Sequence, residues 1–150
     1  MGSLGPQVSK RWPDPPVADS VFQMFSMKGK VTIITGGSGG IGYEVARGLA
    51  EAGSDIALWY YKATNTDKLA AKLTADFGVK AKAYQCDVAE YDQVKASVDA
   101  VVADFGRLDV MIANAGIPSK AGGLDDKLED WHRVVNVDCK FCYLLEQGPG

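Results

Sequence analysis

The run Thr35-Gly36-Gly37-Ser38-Gly39-Gly40-Ile41-Gly42 follows the apolar stretch Val31 to Ile34 and leads into a helical pattern. This order predicts a strand, a tight glycine turn and the opening of a helix. A helix N-terminus carries unpaired N–H groups and roughly half a unit of positive charge, so a pyrophosphate can rest on it where no side chain intervenes. Gly36, Gly40 and Gly42 are expected to clear that approach. The spacing is G-x-x-x-G-x-G rather than G-x-G-x-x-G, and no Lys-Ser or Lys-Thr follows, so the loop does not match the phosphate loop of an NTPase.

Downstream the pattern repeats. Strands are predicted at Val31 to Thr35, Asp55 to Tyr60, Ala81 to Cys86 and Leu108 to Ala113. Helical stripes lie between them: Ile41, Val45 and Leu49; Leu69, Leu73 and Phe77; Val94, Val98, Val101, Val102 and Phe105. Gly53, Gly78 and Gly106 each follow a stripe, where a left-handed cap belongs. Strand–helix alternation with short connections implies right-handed crossovers and a parallel sheet. The fold expected is α/β, the first part of a doubly wound sheet with four strands in the order 3-2-1-4. Its ligand crevice lies at the carboxyl ends of the strands, where Gly36 to Gly42, Tyr60 to Lys62, Asp87-Val88 and Asn114-Ala115-Gly116 all fall.

Composition narrows the function. The 150 residues are 47% hydrophobic and 23% charged with net charge −3, which suits one globular domain and gives no electrostatic case for nucleic acid or an anionic membrane. No apolar run approaches the ~20 residues of a membrane span and no signal pattern opens the chain, so a cytoplasmic location is expected. Cys139-Lys140-Phe141-Cys142 spells C-x-x-C without a second pair, and packing is favoured over metal or redox chemistry. Residues 1–27, with Pro6, Pro13, Pro15 and Pro16, are expected to form a flexible extension in which Ser20 to Phe25 makes a short turn packed on the domain. Residues 28–150 form the working unit.

Thr35-Gly36-x-x-x-Gly40-Ile41-Gly42, Asp87-Val88 and Asn114-Ala115-Gly116, in this order and spacing, resemble the short-chain dehydrogenase/reductase family over residues 28–138. Lys28-Gly29-Lys30-Val31 and Ile112-Ala113-Asn114-Ala115-Gly116 look like its fungal mannitol dehydrogenase and sorbose reductase branch. The resemblance implies a nicotinamide dinucleotide held by Gly36, Ser38, Gly40, Ile41 and Gly42. It also implies Asp87 and Val88 at the adenine, Asn114 joining strand 4 to its neighbour, Ala115 and Gly116 beside the ribose, and Val137 in the cofactor site. Small carbonyl or polyol substrates, of ketose or sugar-alcohol type, and homo-oligomeric intact relatives follow from the same likeness. Enzymes of this kind that use NAD carry an acidic residue at the end of strand 2. Here Tyr60 stands there, followed by Tyr61 and Lys62, so NADP is favoured over NAD.

The family's proton chemistry needs a tyrosine, a lysine four residues later and a serine, all belonging after a fifth strand. Tyr91-Asp92-Gln93-Val94-Lys95 has the Y-x-x-x-K spelling but precedes strand 4, and is expected to be a coincidence. The family's fourth catalytic residue is an asparagine in the pattern W-x-x-V-x-x-V-N, and Trp131 to Asp138 puts Asp138 at that position as the catalytic candidate the resemblance implies. Two residues turn about 200° on an α-helix, which sets Asn136 on the opposite face. Phe141 replaces a small residue, and Glu146-Gln147-Gly148-Pro149-Gly150 resembles a foreign ending. The expectation is the cofactor-binding half of an oxidoreductase, inactive by itself. A non-catalytic NADP-binding regulator and a non-functional truncated product stay open beside it.

Overall fold

Four parallel strands form where the sequence alternates apolar runs with helical stripes. The structure is a computed structural model and describes residues 20–120 and 125–140. The elements run α1 (Val21–Met24), β1 (Val31–Thr35), α2 (Gly40–Glu51), β2 (Asp55–Tyr60), α3 (Thr66–Phe77), β3 (Ala81–Gln85), α4 (Tyr91–Phe105), β4 (Val110–Ile112) and α5 (Leu128–Val135). A π-helical turn, Asn136–Lys140, continues α5. The sheet order is β3-β2-β1-β4, with Ile33 opposite Ala57 on one side and Met111 on the other.

Both faces of the sheet are covered, so its central strands read as continuous apolar runs. Val31, Ile33, Ala57 and Trp59 turn to the side where α4 supplies Val94 and Val101. Ile34, Ile56 and Leu58 turn to the other, against Ala46 and Ala50 of α2 and Ala70 and Leu73 of α3. Gly78 and Gly106 close α3 and α4 with φ of 71° and 80°, as their spacing predicts.

Several expectations need correction. The buried face of α2 is Gly42, Ala46 and Ala50; of the expected stripe, Leu49 packs half-buried against this core while Ile41 is exposed. Large residues on that face would hold the helix off the strands, whereas small ones let it approach. Val102 is exposed, and α4 buries Val94, Ser97 and Val101 instead. Strand β4 is three residues long because side chains take over its pairing beyond Ile112. Ser20 to Phe25 does not pack on the domain: Val21, Phe22, Met24 and Phe25 are all exposed. Phe141, Cys142 and the ending at 146–150, like the prolines of residues 1–19, lie outside the described residues.

At the opposite end of the sheet from the predicted crevice, Asp109 fastens β4 to β1. Its carboxylate accepts from Arg107 Nε at 2.8 Å, from Arg107 Nη2 at 2.5 Å and from the Val31 amide at 2.9 Å. The Arg107 guanidinium first, then the Val31 amide, hold this carboxyl at about 2. In the unfolded chain it returns to about 3.9. Because the folded value is depressed, the stability it contributes is present above about pH 4 and disappears as pH falls toward 2. Asp109→Asn should therefore flatten the acid limb of stability between pH 4 and 2, read from urea midpoints. A variant with an unchanged acid limb would remove Asp109 from this role.

Candidate functional site

The carboxyl ends of the strands frame a cleft of about 860 Å³. Its geometry begins at Thr35, the last residue of β1. The Thr35 hydroxyl accepts from the amides of Asn114 and Ala115, each at 2.9 Å, and the Asn114 side-chain amide donates to the Thr35 carbonyl at 2.9 Å. A side-chain junction thus replaces ladder pairing where β1 and β4 must part to admit a ligand. Asn114 joins the two strands through these bonds; Thr35 completes the junction and is not singled out by sequence reasoning. A Thr immediately before the glycine turn is the signal that marks it.

The glycines divide their work differently from the expected common role. A Cβ on Gly42 would stand 2.5 Å from Asn114 Nδ2 and from the Gly36 carbonyl oxygen, and one on Gly36 would crowd the Ala115 backbone at 3.1 Å. These two serve close packing of α2 on the junction. Gly40 is the open one: its φ is +53° and nothing lies within 4 Å of a Cβ built there. The helix N-cap, Gly39, offers no side-chain cap to the first amides of α2. The N-terminus of α2 therefore faces open space with bare N–H groups, which is the arrangement that binds phosphate.

Of the residues expected in the site, Gly36, Ser38, Tyr60, Lys62, Asp87, Val88, Ala115, Gly116 and Val137 line the cleft. Gly42 and Asn114 support it from behind. Gly40 and Ile41 instead border a neighbouring shallow depression with Tyr43 and Val45, and Ile41 is 77% exposed. Asp87 Oδ1 accepts from the Ala89 amide at 3.0 Å, and the Asp87 amide donates to Gln93 Oε1 at 3.0 Å. This loop fixes the carboxylate at the end of β3.

Asp138 does not line the cleft. Its Oδ1 accepts from the Ile117 amide at 3.0 Å, so it pins the segment after Gly116. Asn136, expected on the far side, is on the cleft wall. The two residues still lie on opposite faces, and it is the Asn136 face that turns to the cleft. Arg133 also lines the cleft; it donates to the Pro118 carbonyl at 3.1 Å and pairs with Asp130 at 3.6 Å. No local signal in the sequence brings α5 across the strand ends.

Trp59 and Cys86 form apolar wall. Burial pushes the Cys86 thiol above its ordinary range, so it is a protonated packing group rather than a nucleophile. Tyr91 opens α4 outside the cleft, and Lys95 bonds Asp99 at 2.8 Å. The pair is solvated surface. Cys139 is exposed, and no helix among the described residues is long and apolar enough to cross a membrane.

Comparison with known proteins places these features. A family model described as short chain dehydrogenase matches residues 30–147. The NADP-dependent mannitol dehydrogenase of Alternaria alternata is 47% identical over 138 residues, which cover 90% of this chain and 52% of that protein. Among solved structures, the NADPH-dependent 3-quinuclidinone reductase of Rhodotorula rubra is similar with a TM-score of 0.81 and 46% identity, over 95% of this chain and 53% of that one. The L-sorbose reductase of Gluconobacter frateurii, complexed with NADPH and L-sorbose, is similar with a TM-score of 0.76 and 31% identity, over 83% and 47%. The chain spans about half the length of the curated relatives it matches.

Removing the Thr35 hydroxyl tests the junction on which the cleft rests. Thr35→Val keeps the shape but leaves the Ala115 amide without its acceptor, and should cost about 1–3 kcal/mol of stability in chemical denaturation. Stability equal to that of the parent chain would show that the junction is not what joins β1 to β4.

Proposed function

The chain belongs to the short chain dehydrogenase family, and from that premise we propose that its cleft binds NADP(H) in an oxidoreductase acting on a ketose, a sugar alcohol or another small carbonyl compound. The observation that carries the cofactor choice is the end of β2. Tyr60, Tyr61 and Lys62 line the cleft there, at the position where a carboxylate would repel a 2′-phosphate. Lys62 supplies a cation instead. The names of the mannitol dehydrogenase and of the two reductases, each tied to NADP or NADPH, support the same choice and give the substrate class.

The residues present fit such a ligand. Open space at Gly39 and Gly40 leaves the α2 amides free to hold a pyrophosphate. Val88 and Val137 offer apolar faces to an adenine ring, and Asp87 stands at the same end of the cleft to accept from its amino group. Ala115 and Gly116 keep the β4 side small enough for a ribose to lie against backbone. NADPH, when bound, supplies the hydride for carbonyl reduction. Asp138, through Ile117, keeps the segment after Gly116 in place. Among the six tyrosines of the chain only Tyr91 has a lysine four residues on, and that pair stands outside the cleft. The role we assign to residues 28–150 is therefore cofactor binding, with residues 1–27 as an extension and the proton-transfer step not among it.

Binding titrations test the reading. Lys62→Ala should weaken NADPH by about 1 kcal/mol or more, as loss of a charge-assisted contact does, and leave NADH unchanged. Equal losses for both cofactors would show that Lys62 does not read the 2′-phosphate. Gly40→Val puts a branched side chain at positive φ in the open approach to α2, and should abolish both cofactors in a folded protein. Full binding by that variant would contradict the phosphate cradle.

A further inference from the structure

Lys62 Nζ stands 4.6 Å from the centroid of the Tyr61 ring, and both residues line the cleft. We propose that Tyr61 is a positioning residue for 2′-phosphate recognition: its ring holds the Lys62 ammonium at the cleft before the ligand arrives. The inference rests on the reading of Lys62 above and adds the group that sets how well Lys62 performs.

A lysine side chain is long and strongly hydrated, and fixing it on a phosphate costs rotamer freedom. A partner that already holds the ammonium in the unliganded protein removes part of that cost. The face of an aromatic ring is such a partner, because its quadrupole attracts a cation within about 6 Å. A carboxylate would be a poor one, since it would neutralise the charge and compete with the phosphate. Among the described residues Lys62 has no carboxylate partner. Two other lysines near rings are each bonded to Asp104. Lys82, 5.3 Å from the Tyr84 ring, also bonds the Asp104 carboxylate, and Lys80, 4.6 Å from the Phe105 ring, bonds the Asp104 carbonyl. Each of these two ammonium groups is thus already tied to the fold by one hydrogen bond.

Tyr61 is itself fixed by the neighbouring strand. Its carbonyl accepts from Gln85 Nε2 at 3.0 Å, which holds the backbone that carries both side chains. Tyr61 is 53% exposed and so contributes little to the core. Its identity can be changed without opening a cavity, which makes a clean test possible.

The experiment titrates NADPH and NADH separately into the parent chain, Tyr61→Leu, Tyr61→Phe, Lys62→Ala and the Tyr61→Leu/Lys62→Ala double variant. Tyr61→Leu should weaken NADPH about three-fold, the size expected of an exposed cation–π contact, with NADH unchanged. Tyr61→Phe keeps the ring face and should retain the parent affinity for NADPH. In the double variant the leucine should add no loss beyond that of Lys62→Ala, since the two act as one unit. Equal weakening of both cofactors by Tyr61→Leu would mean that Tyr61 only supports the fold. A loss with Lys62→Ala but none with Tyr61→Leu would overturn the positioning role and leave the Lys62 reading intact. No loss with Lys62→Ala would overturn both.

Discussion

The hydroxyl of Thr35 is the point from which the cleft hangs. It accepts two amides of the β4 exit, while the Asn114 side chain closes the junction by donating to the Thr35 carbonyl. Each such bond contributes only about 1 kcal/mol net, but an orphaned buried amide costs 1–3 kcal/mol. That is a large share of the roughly 5–15 kcal/mol by which a domain is stable. The junction also has a geometric consequence. With β1 and β4 joined by side chains at their ends, their following loops diverge on either side of a gap. Gly36 begins one wall and Ala115-Gly116 the other.

Packing of α2 follows from the same point. Gly42 sits against Asn114 Nδ2 and the Gly36 carbonyl at distances that a Cβ could not tolerate, and Ala46 and Ala50 continue the small face. The helix is drawn close to the sheet, and its first amides come to the mouth of the loop. Glycine at 42 thus acts through packing and glycine at 40 through open space. The two requirements lie only two residues apart, which explains why the turn needs so many glycines.

What could be read from the sequence is what local pattern dictates. Strand–helix alternation, glycine caps at 78 and 106, and short crossovers lead to a parallel sheet in the order β3-β2-β1-β4, because few topologies satisfy all three. The phase of α2 could not be read in this way. Hydrophobicity points Ile41 and Val45 inward, but clearance against the Asn114 junction points Gly42 and Ala46 inward instead. Strand β4 is shorter than its apolar run because Thr35 and Asn114 replace its last ladder pairs. The π-helical turn at Asn136–Lys140 and the crossing of α5 over the strand ends carry no residue signature, so Asn136 and Arg133 emerge only in three dimensions.

The chain's electrostatic arrangement gives the opposite ends of the sheet opposite tasks. At one end Asp109, Arg107 and the Val31 amide are mutually satisfied and fasten β4 to β1. At the other, the first amides of α2 face open space, and Lys62 lines the cleft with no carboxylate partner among the described residues. A crystal structure of this chain grown with NADPH tests that contrast most directly. The account predicts the pyrophosphate on the amides at Gly40, the adenine between Val88 and Val137, and the 2′-phosphate at Lys62. A cofactor bound elsewhere, or with its 2′-phosphate remote from Lys62, would contradict it.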